Sequence, residues 1–264
     1  MGRISQRFEA LAGETALVTF ITAGDPTLAH TVPAMHALVE GGTDIIELGV
    51  PFSDPEAEGP AIQASSERAL ENGTRMADVL QMVREFRLKD QVTPIVLMGY
   101  LNSVLAHDDF AEQAGSAGVD GLIMVNLPPE EGGELQAALA ARDIDLIYLV
   151  APTTTQERAR MILSKGSGFI YYVSLKGTTG AGHLDTASVA EKLAWLKTVG
   201  DVPVCVGFGI KDESAARTLG QHADGVVVGS AIVNLMAEHS DDVAACAEAL
   251  KQAAAELNRG AKQR

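Results

Sequence analysis

Eight times along this chain a short, nearly continuous apolar run is followed by a segment with apolar residues at helical spacing or by a short helical turn. The runs occupy 16–21, 43–48, 94–98, 120–125, 144–150, 169–174, 202–206 and 225–228. Strands that are apolar on both faces belong in a sheet covered on both sides. Strand alternating with helix implies a parallel sheet, and eight such units in about 250 residues close into a barrel. A chain of 264 residues, 47% hydrophobic, is large enough to fill that core. The expectation is therefore an α/β protein, a (β/α)8 TIM barrel forming one domain over 1–264. An extra N-terminal helix precedes it, marked by Ile4, Phe8 and Leu11 and stopped at Gly13. An open doubly wound sheet is the alternative, but it usually carries G-x-G-x-x-G after its first strand, and this chain does not.

Local signals refine the plan. Leu28, Val32, Met35 and Val39 form a helical stripe containing Pro33, which should kink it or leave a carbonyl unpaired. Ile62, Ser66, Ala69 and Leu70 mark one face of the helix after the second strand. Pro128-Pro129-Glu130-Glu131 is expected to open the helix after the fourth strand. The last helix carries Val243, Cys246, Leu250, Ala254 and Leu257, with Gly260 as its expected terminator.

Charge and cysteine usage exclude several functions. The net charge of −15 disfavours nucleic acid and anionic membrane surfaces as partners. No apolar run approaches the length of about 18 residues that a spanning helix needs, and the first 14 residues lack the apolar centre of a signal peptide. Cys205 and Cys246, both in apolar settings, read as buried free thiols of a reducing, cytoplasmic compartment. The six histidines show no metal-ligand spacing, so no metal site is expected.

Chemistry in such a barrel gathers at the C-terminal ends of the strands. The second strand carries a lone acid, Glu47, which a strand interior tolerates only when it is paired or working. The loop that follows holds three prolines and the acids Asp54, Glu56 and Glu58. Glycines cluster after the sixth, seventh and eighth strands, at Gly180 and Gly182, Gly207 and Gly209, and Gly229 with Ser230. Turn glycines are the plain reading of such clusters. On adjacent units at the mouth they also make a backbone cradle for phosphate. Phe20, Ile62, Met98 and Leu122 or Leu127 are candidates for an apolar floor between cradle and acids. The layout suggests a phosphate-tailed substrate with an apolar head, attacked by paired carboxyl groups as general acid and base.

The run DIIELGVPFSDPEAEGPAIQASSERAL closely resembles the tryptophan synthase α chain family, and so do GDP after the first strand, NLPPEE, GTTGAG, GFGI and VVVGSAIV. The resemblance covers essentially the whole chain. It implies a barrel lyase that cleaves indole-3-glycerol phosphate to indole and glyceraldehyde 3-phosphate in tryptophan biosynthesis. It implies no cofactor of the chain's own, and a β subunit, carrying pyridoxal phosphate, in an α2β2 tetramer. By the same resemblance, Glu47 is the catalytic acid/base and Glu58 falls at the second catalytic carboxylate. Tyr171 and Thr179 match catalytic-site residues. Gly180, Phe208, Gly209, Gly229 and Ser230 match the phosphate site. Phe20, Ile62, Met98 and Leu122 are carried over as indole contacts. Pro51, Asp54 and Asn102 fall on the surface that faces the β subunit.

The chain departs from the family pattern at three positions. Glu58 stands where the pattern has aspartate, Glu56 where it is normally apolar, and Asn126 where the fourth strand usually ends in aspartate. Glu58 adds a methylene, and Glu56 adds a charge that raises a neighbouring acid's pKa. Two other functions stand beside the lyase. One is a phosphate-ligand-binding barrel that activates the β subunit with little turnover of its own; the other is a free-standing lyase that releases indole.

Overall fold

The structure is a computed structural model and describes residues 1–173, 186–207 and 209–263. Among these residues the chain begins with helix α1 (Arg3–Ala10), β1 (Ala16–Thr22), α2 (Leu28–Glu40), β2 (Ile45–Gly49), α3 (Pro60–Glu71) and α4 (Met76–Arg87). It continues through β3 (Ile95–Gly99), α5 (Leu101–Leu105), α6 (Phe110–Ala117), β4 (Gly121–Met124), α7 (Gly133–Ala140), β5 (Asp145–Ile147) and β6 (Leu149–Val150). The remainder is α8 (Gln156–Lys165), β7 (Ile170–Val173), α9 (Thr186–Lys197), β8 (Val204–Gly207), α10 (Glu213–Gly220), β9 (Gly225–Val228), α11 (Ser230–Glu238) and α12 (Val243–Lys262).

All strand pairings are parallel, in the order β5-β4-β3-β2-β1-β9-β8-β7-β6. The two ends of that order are consecutive in the chain, separated only by Tyr148, so the ring closes through the backbone itself. The expected (β/α) barrel is present, with one correction. The fifth strand breaks at Tyr148: β5 pairs back to β4, and β6 pairs forward to β7. The apolar run continues through the break, so periodicity carried no sign of it.

Alternation along the strands builds two cores. Val18, Ile45, Val96, Ile123, Ile147, Phe169, Cys205 and Val227 fill the barrel interior. Their neighbours, such as Leu17, Ile46, Leu97, Leu122 and Leu146, pack outward beneath the helices. The N-terminal helix closes the bottom of the barrel: Ile4 is fully buried in the interior cluster, and Phe8 meets Phe169 edge-on at 6.3 Å. Arg3 and Arg87 both bond Asp120, at 2.8 and 2.6 Å, and lock that end.

Several local expectations change. Residues 129–131 form a turn, and α7 starts only at Gly133; Glu130 pairs with Arg158 at 2.6 Å, and Lys165 donates to the Pro129 carbonyl. Helix α2 runs on through Pro33. On α3, Ser65, Ser66 and Ala69 are buried, whereas Leu70 is exposed. Helix α12 passes through Gly260 to Lys262; a Cβ at Gly260 would sit 2.3 Å from the Glu213 carbonyl oxygen, so this glycine serves helix packing and not termination. The short helices α5 and α11 were not anticipated. Cys205 and Cys246 are buried and free, as expected. Among the described residues, no helix is long and apolar enough to cross a membrane.

Candidate active site

Glu47 sits in the middle of β2, in register with Phe20 on β1 and Val96 on β3. The strand alternation turns it inward with Ile45. It is 1% exposed, and among the described residues its Oε2 has no hydrogen-bond partner. Burial pushes its pKa up to about 8, with the charge of Glu58 adding to the shift. Glu58 itself is half-buried, and loss of solvent raises it to about 7.

The loop around Glu58 is tied down on both sides. The Glu58 N–H donates to the Pro55 carbonyl at 3.0 Å, and Gln63 Nε2 donates to the Glu58 carbonyl at 2.8 Å. The Ala57 N–H donates to the Tyr100 hydroxyl at 3.0 Å. The Tyr100 ring stacks on Phe52, with centroids 4.7 Å apart. Sequence reasoning missed Tyr100, although an aromatic residue directly after Gly99 at the end of β3 was the available signal. The charge of Glu56 is felt at Tyr100, whose pKa is raised by burial first and by Glu58 and Glu56 after it. It does not contribute to the shifts of Glu47 or Glu58.

Tyr171, on β7, faces the same acids from across the barrel. Its phenol is held well above the ordinary value by burial, then by the charges of Glu47 and Glu58. Glycine at 207 makes room for it: a Cβ there would fall 2.3 Å from the Tyr171 hydroxyl. Gly49 likewise lets the Phe20 ring cross β2, since a Cβ would lie 2.5 Å from that ring. Phe20, Ile62, Met98 and Tyr100 wall a cavity of about 20 Å³ that Glu58 also lines. That is room for about one water, so the walls must part to admit a ring. A larger cavity, about 230 Å³, opens beside Lys211, Glu238 and Leu257 and is lined by none of the expected site residues.

Gly229, one of the glycines expected to bind phosphate, meets this apolar wall. The position where its Cβ would be lies 3.5 Å from Phe20 and 3.6 Å from Ile62. Gly229 is the N-cap of α11, and exposed Ser230 is its first residue; the first-turn N–H groups, uncapped by any side chain among the described residues, are available to an anion. Gly209 is exposed with φ +78°, a conformation that favours glycine. Thr179, Gly180 and Phe208 lie outside the described residues.

Two expected positions are corrected. Leu122 packs in the outer core and pairs in register with Leu97, so it faces the helices; Ile123, paired with Met98, is the inward residue of β4. Pro51 is buried where the chain leaves β2 and offers no surface to a partner, whereas Asp54 and Asn102 are exposed. Asn126 keeps an acceptor oxygen: its Oδ1 takes the Leu101 N–H at 2.8 Å, at the start of α5.

A parallel barrel with two electrostatically coupled carboxyl groups held near neutral pKa, one of them lining an apolar cleft, beside a helix N-terminus, has the make-up of a barrel enzyme of acid–base chemistry. The family model described as tryptophan synthase alpha chain matches residues 8–262. A tryptophan synthase alpha chain from Thioalkalivibrio sulfidiphilus is 51% identical over 263 residues, covering 98% of this chain and 99% of that one. Its counterpart from Chromobacterium violaceum is 54% identical over 235 residues, covering 88% and 90%. The crystal structure of tryptophan synthase subunit alpha from Legionella pneumophila superposes with a TM-score of 0.87 at 40% identity, over 99% of this chain and 97% of that one. An M. tuberculosis tryptophan synthase structure gives a TM-score of 0.89 at 34% identity, with full coverage of both chains. The chain belongs to the tryptophan synthase alpha chain family and is a lyase of tryptophan biosynthesis.

Proposed function

We propose that the protein, acting as one domain over 1–264, cleaves indole-3-glycerol phosphate to indole and glyceraldehyde 3-phosphate. The observation that carries this reading is the pair Glu47 and Glu58, raised to about 8 and about 7: Glu58 lines the apolar cleft, and its charge acts on the buried Glu47. At neutral pH Glu47 is mostly protonated and donates to the ring carbon that bears the glycerol phosphate chain. Glu58, as carboxylate, stabilises the charge that develops at the ring N–H. The ring carbon becomes tetrahedral, and the ring becomes an electron sink. The Glu47 carboxylate then takes the proton of the side-chain hydroxyl next to that carbon. The O–H electrons form the aldehyde carbonyl, the carbon–carbon bond breaks, and its electrons restore the aromatic ring.

Phe20, Ile62 and Met98 receive the indole ring, with Ile123 at the corresponding inward place on β4. Gly209, Gly229 and Ser230 bind the phosphate, together with Gly180 and Phe208. Tyr171 and Thr179 orient the acids. The chemistry asks for no cofactor in this chain. A β subunit carrying pyridoxal phosphate docks on the rim at Asp54 and Asn102 in an α2β2 tetramer in the cytoplasm and consumes the indole.

Indole release from indole-3-glycerol phosphate, measured on the isolated chain and again with β subunit added, tests the proposal. Slow release that rises on addition of the subunit is expected. No release in either case would leave a ligand-binding partner. A full rate without the subunit, unchanged by it, would leave a free-standing lyase.

A further inference from the structure

Helix α3 begins two residues after Glu58, at Pro60, and its N-cap, Gly59, provides no side-chain cap. The helix is held from its flank instead. Ser65, Arg68 and Asn72, spaced three and four apart, share one face. All three bond the segment 22–26 that leaves β1. The Ser65 and Thr22 hydroxyls are 2.6 Å apart. Asn72 Nδ2 donates to the Gly24 and Pro26 carbonyls at 3.0 and 2.7 Å. Between them, Arg68 donates through Nε and Nη2 to both carboxyl oxygens of Asp25, at 2.7 and 3.0 Å. Asp25 is fully buried.

An ion pair whose carboxylate is buried and whose guanidinium is partly exposed is poor evidence of stabilisation, because desolvation of the acid offsets the attraction. A bidentate pair does fix the direction of approach. Its location makes that direction matter. The anchor on the strand side is the end of β1, the strand that carries Phe20 in register with Glu47. The anchored helix holds Glu58 through Gln63 in its first turn. We propose that Asp25 and Arg68 are a positioning pair that keeps the Glu58 carboxyl in register with Glu47. The proposal rests on the catalytic reading of Glu58.

The test uses Asp25→Asn, Arg68→Lys and Glu58→Gln in the full chain, assayed with β subunit, with Arg87→Lys as a control. Arg87 makes a more deeply buried pair with Asp120 near the bottom of the barrel, where Arg3 joins it from the closing helix. Both clamp variants should lower the single-turnover cleavage rate about 10-fold or more, since a misplacement of about 1 Å can cost about 100-fold. Affinity for glycerol phosphate should stay within about twofold, because binding common to ground and transition states is untouched. The basic limb of the pH–rate profile should move to lower pH, as Glu47 loses part of the repulsion from Glu58. Arg87→Lys should lower Tm without changing the rate. Arg68→Lys keeps the charge but loses the two-pronged fork, so it carries the test if Asp25→Asn does not fold. The proposal is overturned if the clamp variants lose no more rate than Arg87→Lys, or lose only affinity. If Glu58→Gln cleaves at the parent rate, the catalytic reading of Glu58 falls as well. If Glu58→Gln is slow and the clamp variants are not, the clamp alone falls.

Discussion

Glu47 keeps a proton that the unfolded chain would release near the ordinary value of 4.5. Between about pH 4.5 and about 8 the folded state therefore binds more protons than the unfolded state. The stability linked to this group is fully present below that window and is lost as pH rises through it. Glu47→Gln removes the titration while keeping the shape. Calorimetry from pH 5 to 8.5 should show the variant gaining in Tm over the parent as pH rises, and parallel curves would dismiss burial as the cause. Glu47→Gln should also lower turnover by more than 10-fold, with glycerol phosphate affinity nearly unchanged, because only the acid–base step is lost. Retention of about a tenth of the parent rate or more would be too small a loss for that role. Glu58 adds a second test. The backbone on both sides of it is bonded to Pro55, Gln63 and Tyr100 independently of its side chain. The loop therefore has little freedom to absorb the extra methylene, and the Glu58 charge acts on Glu47. Glu58→Asp should raise the single-turnover rate and move the Glu47 limb of the pH profile downward; a slower aspartate variant would sink this account.

The elements were legible to the extent that burial alone dictates their pattern. Strands covered on both faces give apolar runs, and eight such runs announced the barrel, its mouth and the place of Glu47. Which way each side chain points was harder to read, because a run apolar on both faces hides its parity. Leu122 reads as an inward residue by composition, whereas register with Met98 gives that place to Ile123. For the same reason the break at Tyr148 left no mark. Gly260 reads as a stop by residue type, yet it is a contact point between α12 and the start of α10. Tyr100 and the Asp25–Arg68 pair each join segments 43 residues apart in the chain, a distance over which no local pattern speaks. The closing helix α1 gives an element-level prediction. Ile4 is fully buried at the end of the barrel opposite the acids. Ile4→Ala should cost about 2–5 kcal/mol of stability, read as a lower Tm and denaturant midpoint. The single-turnover rate of the folded protein should be unchanged. A large rate loss would mean that the barrel bottom communicates with the mouth.

At the scale of the whole molecule, acidity is uneven in its consequences. The net charge of −15 is spread over the chain, but one part of it stands at the rim, on the loop that carries Glu58. Asp54 is exposed there, its carboxylate accepting the Ser53 hydroxyl at 2.6 Å. Exposed Asn102 and Leu105, the latter 70% accessible, lie on α5 just after Tyr100. The Phe52–Tyr100 stack joins these two loops into one wall, and the Tyr100 hydroxyl holds Ala57 beside Glu58. A β subunit seated on this rim would press on the same wall that places the second acid. Docking and activation would then be one event, carried by a short path of packed groups. Asp54→Lys and Leu105→Ala should each reduce the ratio of cleavage rates with and without β subunit, whatever the rate of the isolated chain. The charge variant alone should also weaken association at low salt, with the difference from the parent shrinking as ionic strength rises and screens it. An activation ratio that stays at the parent value in both variants would place the partner on another face of the barrel.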